Sequence, residues 1–111
     1  EITTTGSTKV AEVRNGATSF SEIKPEELGI PLATLGDIRG GDTSTNVEIT
    51  RAVLAGAKGP HRDIVTLNAG AAIVAGGLAE TLREGILRAE ESIDTGRAQS
   101  VLRNLVDFTN A

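Results

Sequence analysis

Gly59-Pro60-His61-Arg62-Asp63-Ile64-Val65-Thr66-Leu67-Asn68-Ala69-Gly70-Ala71-Ala72-Ile73-Val74-Ala75-Gly76-Gly77 decides how the rest of this chain is read. Proline suits a first helical position, where its missing N–H has no intrahelical partner, and Asp63 complements the positive end of the helix dipole. The paired glycines supply a left-handed stop. From Ile64 to Ala75 only Thr66 and Asn68 carry polar side chains, so the helix is expected to be buried on nearly every side. Its apolar run of about 12 residues falls well short of the roughly 20 that span a bilayer. The expected covering is therefore protein.

Outward toward the C-terminus, Leu78, Leu82, Ile86, Ala89 and Ile93 recur at three- and four-residue spacing, which predicts an amphipathic helix. Glu84 and Arg88 stand four apart on its wet face in the favourable order. Thr95-Gly96 ends it, and a last helix is expected with Val101, Leu102, Leu105, Val106 and Phe108 inward. Toward the N-terminus, Asp42 or Thr43 caps a helix to about Ala55, with Val47, Ile49, Val53 and Leu54 apolar and Gly56 as its stop. Lys24-Pro25-Glu26-Glu27-Leu28-Gly29 reads as one helical turn and Leu35 to Arg39 as another. Thr8–Arg14 and Ala17–Ile23 flank Asn15-Gly16, the pair that best supplies positive φ at both corners of a type I′ turn. That hairpin register sets Lys9 opposite Glu22 and Ala11 opposite Phe20. Glu1 to Gly6, rich in β-branched residues, is expected to be a strand entering a turn.

At most three strands thus stand against four helices, too little sheet to cover them. The expectation is that these 111 residues form part of a larger α/β domain. The only aromatics are Phe20 and Phe108, and Cys, Met, Trp and Tyr are missing. A core of small aliphatics gives modest stabilisation of its own. The net charge of −4 is spread along the chain with no basic block, so no nucleic-acid surface is expected. Without cysteine there is neither a disulfide framework nor a thiolate metal site. Neither a signal peptide nor a membrane-spanning segment is expected.

Several groups invite a chemical reading. Gly40-Gly41-Asp42 before a helix could cradle phosphate, but no P-loop Lys-Ser/Thr follows and Asp42 is expected to be a helix cap. His61, the only histidine, lacks further ligand or nucleophile partners and reads as a surface residue at a helix start. Asn68 in an apolar helix must find hydrogen-bond partners and is expected to be a structural anchor. The carboxylate pairs Glu26-Glu27, Glu90-Glu91 and Glu80 with Glu84 read as solvated charge.

A series of segments resembles, in order and spacing, the C-terminal third of the anthranilate phosphoribosyltransferase family. They are Glu1–Gly6, Thr8–Val13, Leu35–Asp42, Asn46, Arg51–Gly56, Gly59-Pro60 with Arg62–Val65, and Leu67-Asn68-Ala69, followed by Leu82–Gly85, Ile93–Ala98 and Phe108–Asn110. The resemblance implies an α/β fold: a C-terminal fragment, comprising a strand, a β-hairpin and about four helices, of a nucleoside phosphorylase/phosphoribosyltransferase-type catalytic domain. Residues 1–111 would belong to that one domain, with its upstream part and an N-terminal helical domain lying outside them. The implied enzyme is a cytoplasmic homodimer, paired through the helical domain. It transfers phosphoribosyl from phosphoribosyl pyrophosphate to anthranilate in tryptophan biosynthesis, with Mg2+ as cofactor.

The family holds its metal with an Asp-Glu pair just before the segment matching Ile2-Thr3-Thr4, and Glu1 stands at the position of that Glu. Glu1 is therefore the one implied metal ligand. The family's phosphate loop, its Lys-His-Gly-Asn-Arg segment and its anthranilate-contacting arginine lie upstream, so no catalytic or substrate-binding residue is assigned here and the chain alone is expected to be inactive. A related pyrimidine nucleoside phosphorylase, a phosphoribosyltransferase-like paralogue and a stand-alone interaction module remain open on the sequence.

Overall fold

Asn15 and Gly16 take φ of 52° and 77°, the two positive angles that a type I′ turn demands. They join β1 (Thr8–Arg14) to β2 (Ala17–Ile23) in an antiparallel pair with Lys9 opposite Glu22 and Ala11 opposite Phe20. The computed structural model describes residues 1–111, and this hairpin is its only sheet. Pro25–Leu28 then forms a 3₁₀ turn closed by Gly29 at φ 76°. Helices follow as α1 (Thr43–Leu54), α2 (Pro60–Ala75), α3 (Leu82–Asp94) and α4 (Arg97–Thr109). The α/β character and the order of hairpin and helices agree with the sequence, the first expected strand excepted.

Glu1 to Gly6 is not a strand. Its polar backbone finds other partners: Ile2 pairs with the Asn68 amide, Thr3 N–H donates to Thr8 Oγ1, and Thr4 C=O accepts from Ala33 N–H. Thr4 is fully buried, and its hydroxyl has no partner within the chain. Such a group typically costs about 1–3 kcal/mol.

The centre of the fold is the contact between α2 and α3. Ile30, Leu67 and Ile86 form its buried core, with Ile2, Leu28 and Leu82 packed around them. The helices cross at two glycines. A Cβ on Gly70 would lie 2.7 Å from Ile86 N, and one on Gly85 would strike the Gly70 carbonyl. Glycine is needed at both positions because backbone meets backbone.

Within these 111 residues three details depart from the sequence reading. α2 is left open along one side, where Val65, Ala72 and Ala75 are exposed, while Arg62, Thr66, Leu67 and Gly70 are buried and most of its other residues are half-buried. α3 begins at Leu82 rather than Leu78, which is 68 % exposed. The cause is a cap that apolar spacing does not reveal. Thr81 Oγ1 accepts from Glu84 N–H at 3.1 Å and the Glu84 carboxylate reaches back to Glu80 N–H at 3.1 Å, a variant of the capping box. On α4 no residue is buried. Val101 is 67 %, Leu105 56 % and Phe108 83 % exposed, because nothing within this chain lies against that face.

Candidate functional site

Glu1 is exposed and borders an open groove of about 810 Å³ between the hairpin and the C-terminal half of α2, with Ile2, Val10, Val74 and Leu82 along it. No group of three or more His, Cys, Asp or Glu side chains that could hold a metal ion gathers anywhere in the chain. Mg2+ is commonly held through one or two carboxylates, with waters and substrate phosphates completing an octahedron. The Glu1 carboxylate fits one such oxygen ligand and no more.

The segment behind Glu1 is held from α2. Asn68 Oδ1 accepts from Ile2 N–H at 2.8 Å, and Asn68 Nδ2 donates to Ile2 C=O at 2.7 Å and to Ile64 C=O at 2.9 Å. The anchor role read from the sequence is what Asn68 performs, with both amide hydrogens engaged.

Gly40-Gly41-Asp42 does not form a phosphate cradle. Asp42 Oδ1 accepts from Thr45 N–H at 2.8 Å, and Thr45, first through that N–H and then through its hydroxyl, holds the carboxyl below its ordinary range. Gly41 N–H is already occupied by Asn46 Oδ1 at 2.9 Å, and a side chain on Gly40 would strike that same oxygen. The glycines admit the Asn46 side chain. His61 Nε2 lies 3.2 Å from the Arg39 carbonyl at the start of α2, with no metal-ligating cluster around it. Glu26, Glu27, Glu80 and Glu91 are exposed and Glu90 is half-buried. Glu84 pairs with Arg88 at 3.2 Å.

Arg62 is the charged residue that sequence reasoning missed. It is 3 % exposed, yet its guanidinium binds both oxygens of Asp94 at 2.7 and 2.9 Å, joining the start of α2 to the end of α3. This hydrogen bonding holds the Asp94 carboxyl below its usual range, and Lys58 at 3.8 Å adds a weaker pull. Asp63, beside it, is pushed up by burial against the opposing charges of Arg62 and Lys58. No periodicity announces such a pair; the only sign is an arginine in the first turn of an apolar helix.

The site therefore offers one free carboxylate, a backbone clamp and a rigid helical support, with no nucleophile and base in register. Relatives give this arrangement its setting. The anthranilate phosphoribosyltransferase of Methylorubrum populi is 51 % identical over all 111 residues, which is 33 % of its own length. That of Acetivibrio thermocellus is 49 % identical over the whole chain and 32 % of its own. The crystal structure of anthranilate phosphoribosyltransferase from Thermus thermophilus superposes with a TM-score of 0.86 at 36 % identity, covering 96 % of this chain and 32 % of that one. The chain thus spans about a third of the length of the curated relatives it matches. A family model described as "Glycosyl transferase family, a/b domain" matches residues 1–99, and the chain belongs to that glycosyl transferase family as a portion of its α/β domain.

Proposed function

We propose that the chain is the C-terminal part of the catalytic α/β domain of an anthranilate phosphoribosyltransferase. That enzyme moves phosphoribosyl from phosphoribosyl pyrophosphate to the amine of anthranilate, releasing pyrophosphate, in tryptophan biosynthesis. The observation that carries this reading is the unbroken match of all 111 residues to relatives of that name, at 51 % identity in one case.

Exposed surface supports a larger body. The chain exposes 7523 Å², whereas a compact protein of 11.5 kDa exposes about 5,800 Å². Its radius of gyration is 15.2 Å, against about 13 Å expected for a compact domain of this length. The excess, about 1,700 Å² on this chain alone, is roughly twice the ~800 Å² that one partner contributes to a standard protein interface, which counts against a stand-alone module. The remainder of the same enzyme is the partner that fits it, comprising the upstream part of the α/β domain and a helical domain through which the enzyme forms a cytoplasmic homodimer. No helix here is long and apolar enough to cross a membrane.

Within such an enzyme the 111 residues act as scaffold and contribute Glu1 as one Mg2+ ligand. When bound, Mg2+ screens and orients the negatively charged pyrophosphate. Asn68 and the α2–α3 pair hold the chain from which Glu1 projects. The complete protein, supplied with phosphoribosyl pyrophosphate, is expected to consume anthranilate, and the purified 111-residue chain is not. Turnover by the short chain, or none by the complete protein, overturns the proposal.

A further inference from the structure

The amide of Asn68 makes a two-point grip on a single residue's backbone. Ile2 N–H donates to Oδ1 and Ile2 C=O accepts from Nδ2, the pair of contacts a neighbouring strand would otherwise provide. The second amide hydrogen goes to Ile64 C=O, one turn back in α2, and this fixes the side chain against its own helix. That helix is held by the fully buried Leu67 beside Asn68 and by the glycine crossing with α3. The Glu1 Cα lies one peptide, about 3.8 Å, from that of Ile2. No ion pair of the chain includes Glu1. The grip on Ile2 is thus the nearest contact that directs the Glu1 carboxylate.

We propose that Asn68 is a positioning residue for Glu1, its amide fixing the backbone at Ile2 so that the Glu1 carboxylate is presented in one direction to a divalent cation. The inference rests on the reading of Glu1 as a Mg2+ ligand. Residues that orient a metal ligand typically change metal affinity 10- to 100-fold, roughly, when removed. A residue that only ties down the chain changes stability instead.

The test uses the complete enzyme with Mn2+ as a paramagnetic probe, a hard cation suited to the same oxygen ligands, in the presence of inorganic pyrophosphate. Binding is read by electron paramagnetic resonance on the Glu1→Gln, Asn68→Ala and doubly substituted proteins. Each single change is expected to weaken Mn2+ by about tenfold, and the double no further, because the amide acts through Glu1. Asn68→Ser can keep a hydroxyl bond to Ile64 but cannot reach Ile2. It is expected to lose the same affinity, which keeps the test usable if the alanine variant does not fold. Wild-type Mn2+ affinity in a folded Asn68 variant, with Glu1→Gln weakened, overturns the positioning role and leaves the reading of Glu1 intact. So do losses that add in the double. Unchanged affinity in Glu1→Gln removes the reading of Glu1 and the inference together.

Discussion

α3 and α4 are both 13-residue amphipathic helices, but only one is covered. Ile86, Ala89 and Ile93 of α3 are buried, while Val101, Leu105 and Phe108 of α4 face solvent. The difference lies in what meets the helix. At α3 two glycines let α2 approach to backbone contact and an arginine–aspartate pair closes one end. At α4 this chain covers only part of one side, at Leu102, and leaves Val101, Leu105 and Phe108 open. An apolar stripe states that a face is suited to burial, and only tertiary contacts state what buries it.

Gly85→Ala in the complete protein strikes the covered side of that contrast hardest. Alanine in place of glycine favours an isolated helix by about 1 kcal/mol. Here the added Cβ meets the Gly70 carbonyl, which belongs to a helix backbone and cannot swing aside. Overpacking of this kind outweighs the propensity gain, and a net loss of about 3 kcal/mol in denaturant unfolding is expected. An unchanged or raised midpoint would mean the helices do not cross this closely.

Asp94→Asn is expected to have a smaller effect, and one that depends on pH. It leaves the buried Arg62 guanidinium with a neutral partner, and unfolding midpoints should fall at neutral pH. Because Arg62 lowers the folded-state pKa of Asp94, the folded state binds fewer protons than the unfolded one in the window between the two values. The wild-type advantage is therefore full above the ordinary carboxylate pKa of about 3.9. It shrinks as pH falls through the depressed folded value. A stability difference flat down to pH 5 and narrowing below pH 4 is expected; one that widens in acid would remove the ion pair as its cause.

Local chemistry was legible in the sequence, and long-range chemistry was not. Asn15-Gly16, Pro25 with Gly29, the Asp42 cap and the Gly59–Gly77 frame of α2 are specified by φ preferences and by backbone groups within a few residues. Apolar spacing alone extends α3 back to Leu78, whereas the capping pair Thr81 and Glu84 fixes its start at Leu82. Residues 1–6 carry strand-forming side chains, but a strand requires a neighbour and this segment meets a side-chain amide instead. In the candidate site, Asn68 was legible as an anchor because a buried amide needs partners, though its partner Ile2 lies 66 residues away in sequence. Arg62 was not, since its partner Asp94 is 32 residues distant and nothing in the periodicity links them. The proposed metal-binding role of Glu1 rests on resemblance to a family alone, with no local pattern behind it.

Leu105→Ala sharpens the uncovered side of the contrast, with the smallest expected effect of the three. Leu105 is 56 % exposed within these residues, and alanine is the better helix former by a few tenths of a kcal/mol. If α4 is a wet helix in the complete protein, the substitution should be neutral or slightly stabilising. If the remainder of the enzyme lies against α4, it removes buried apolar surface and leaves a gap, for a loss of about 2 kcal/mol. The two cases differ in sign, so one unfolding curve on the complete protein separates them, and the expectation is the loss. Leu102, half-buried on the same helix, provides an internal reference. Its replacement by alanine should be destabilising in either case, because part of its surface is already covered within the 111 residues. A loss at Leu102 with none at Leu105 would mean that α4 rests on its own chain alone and that its outer face is meant for water.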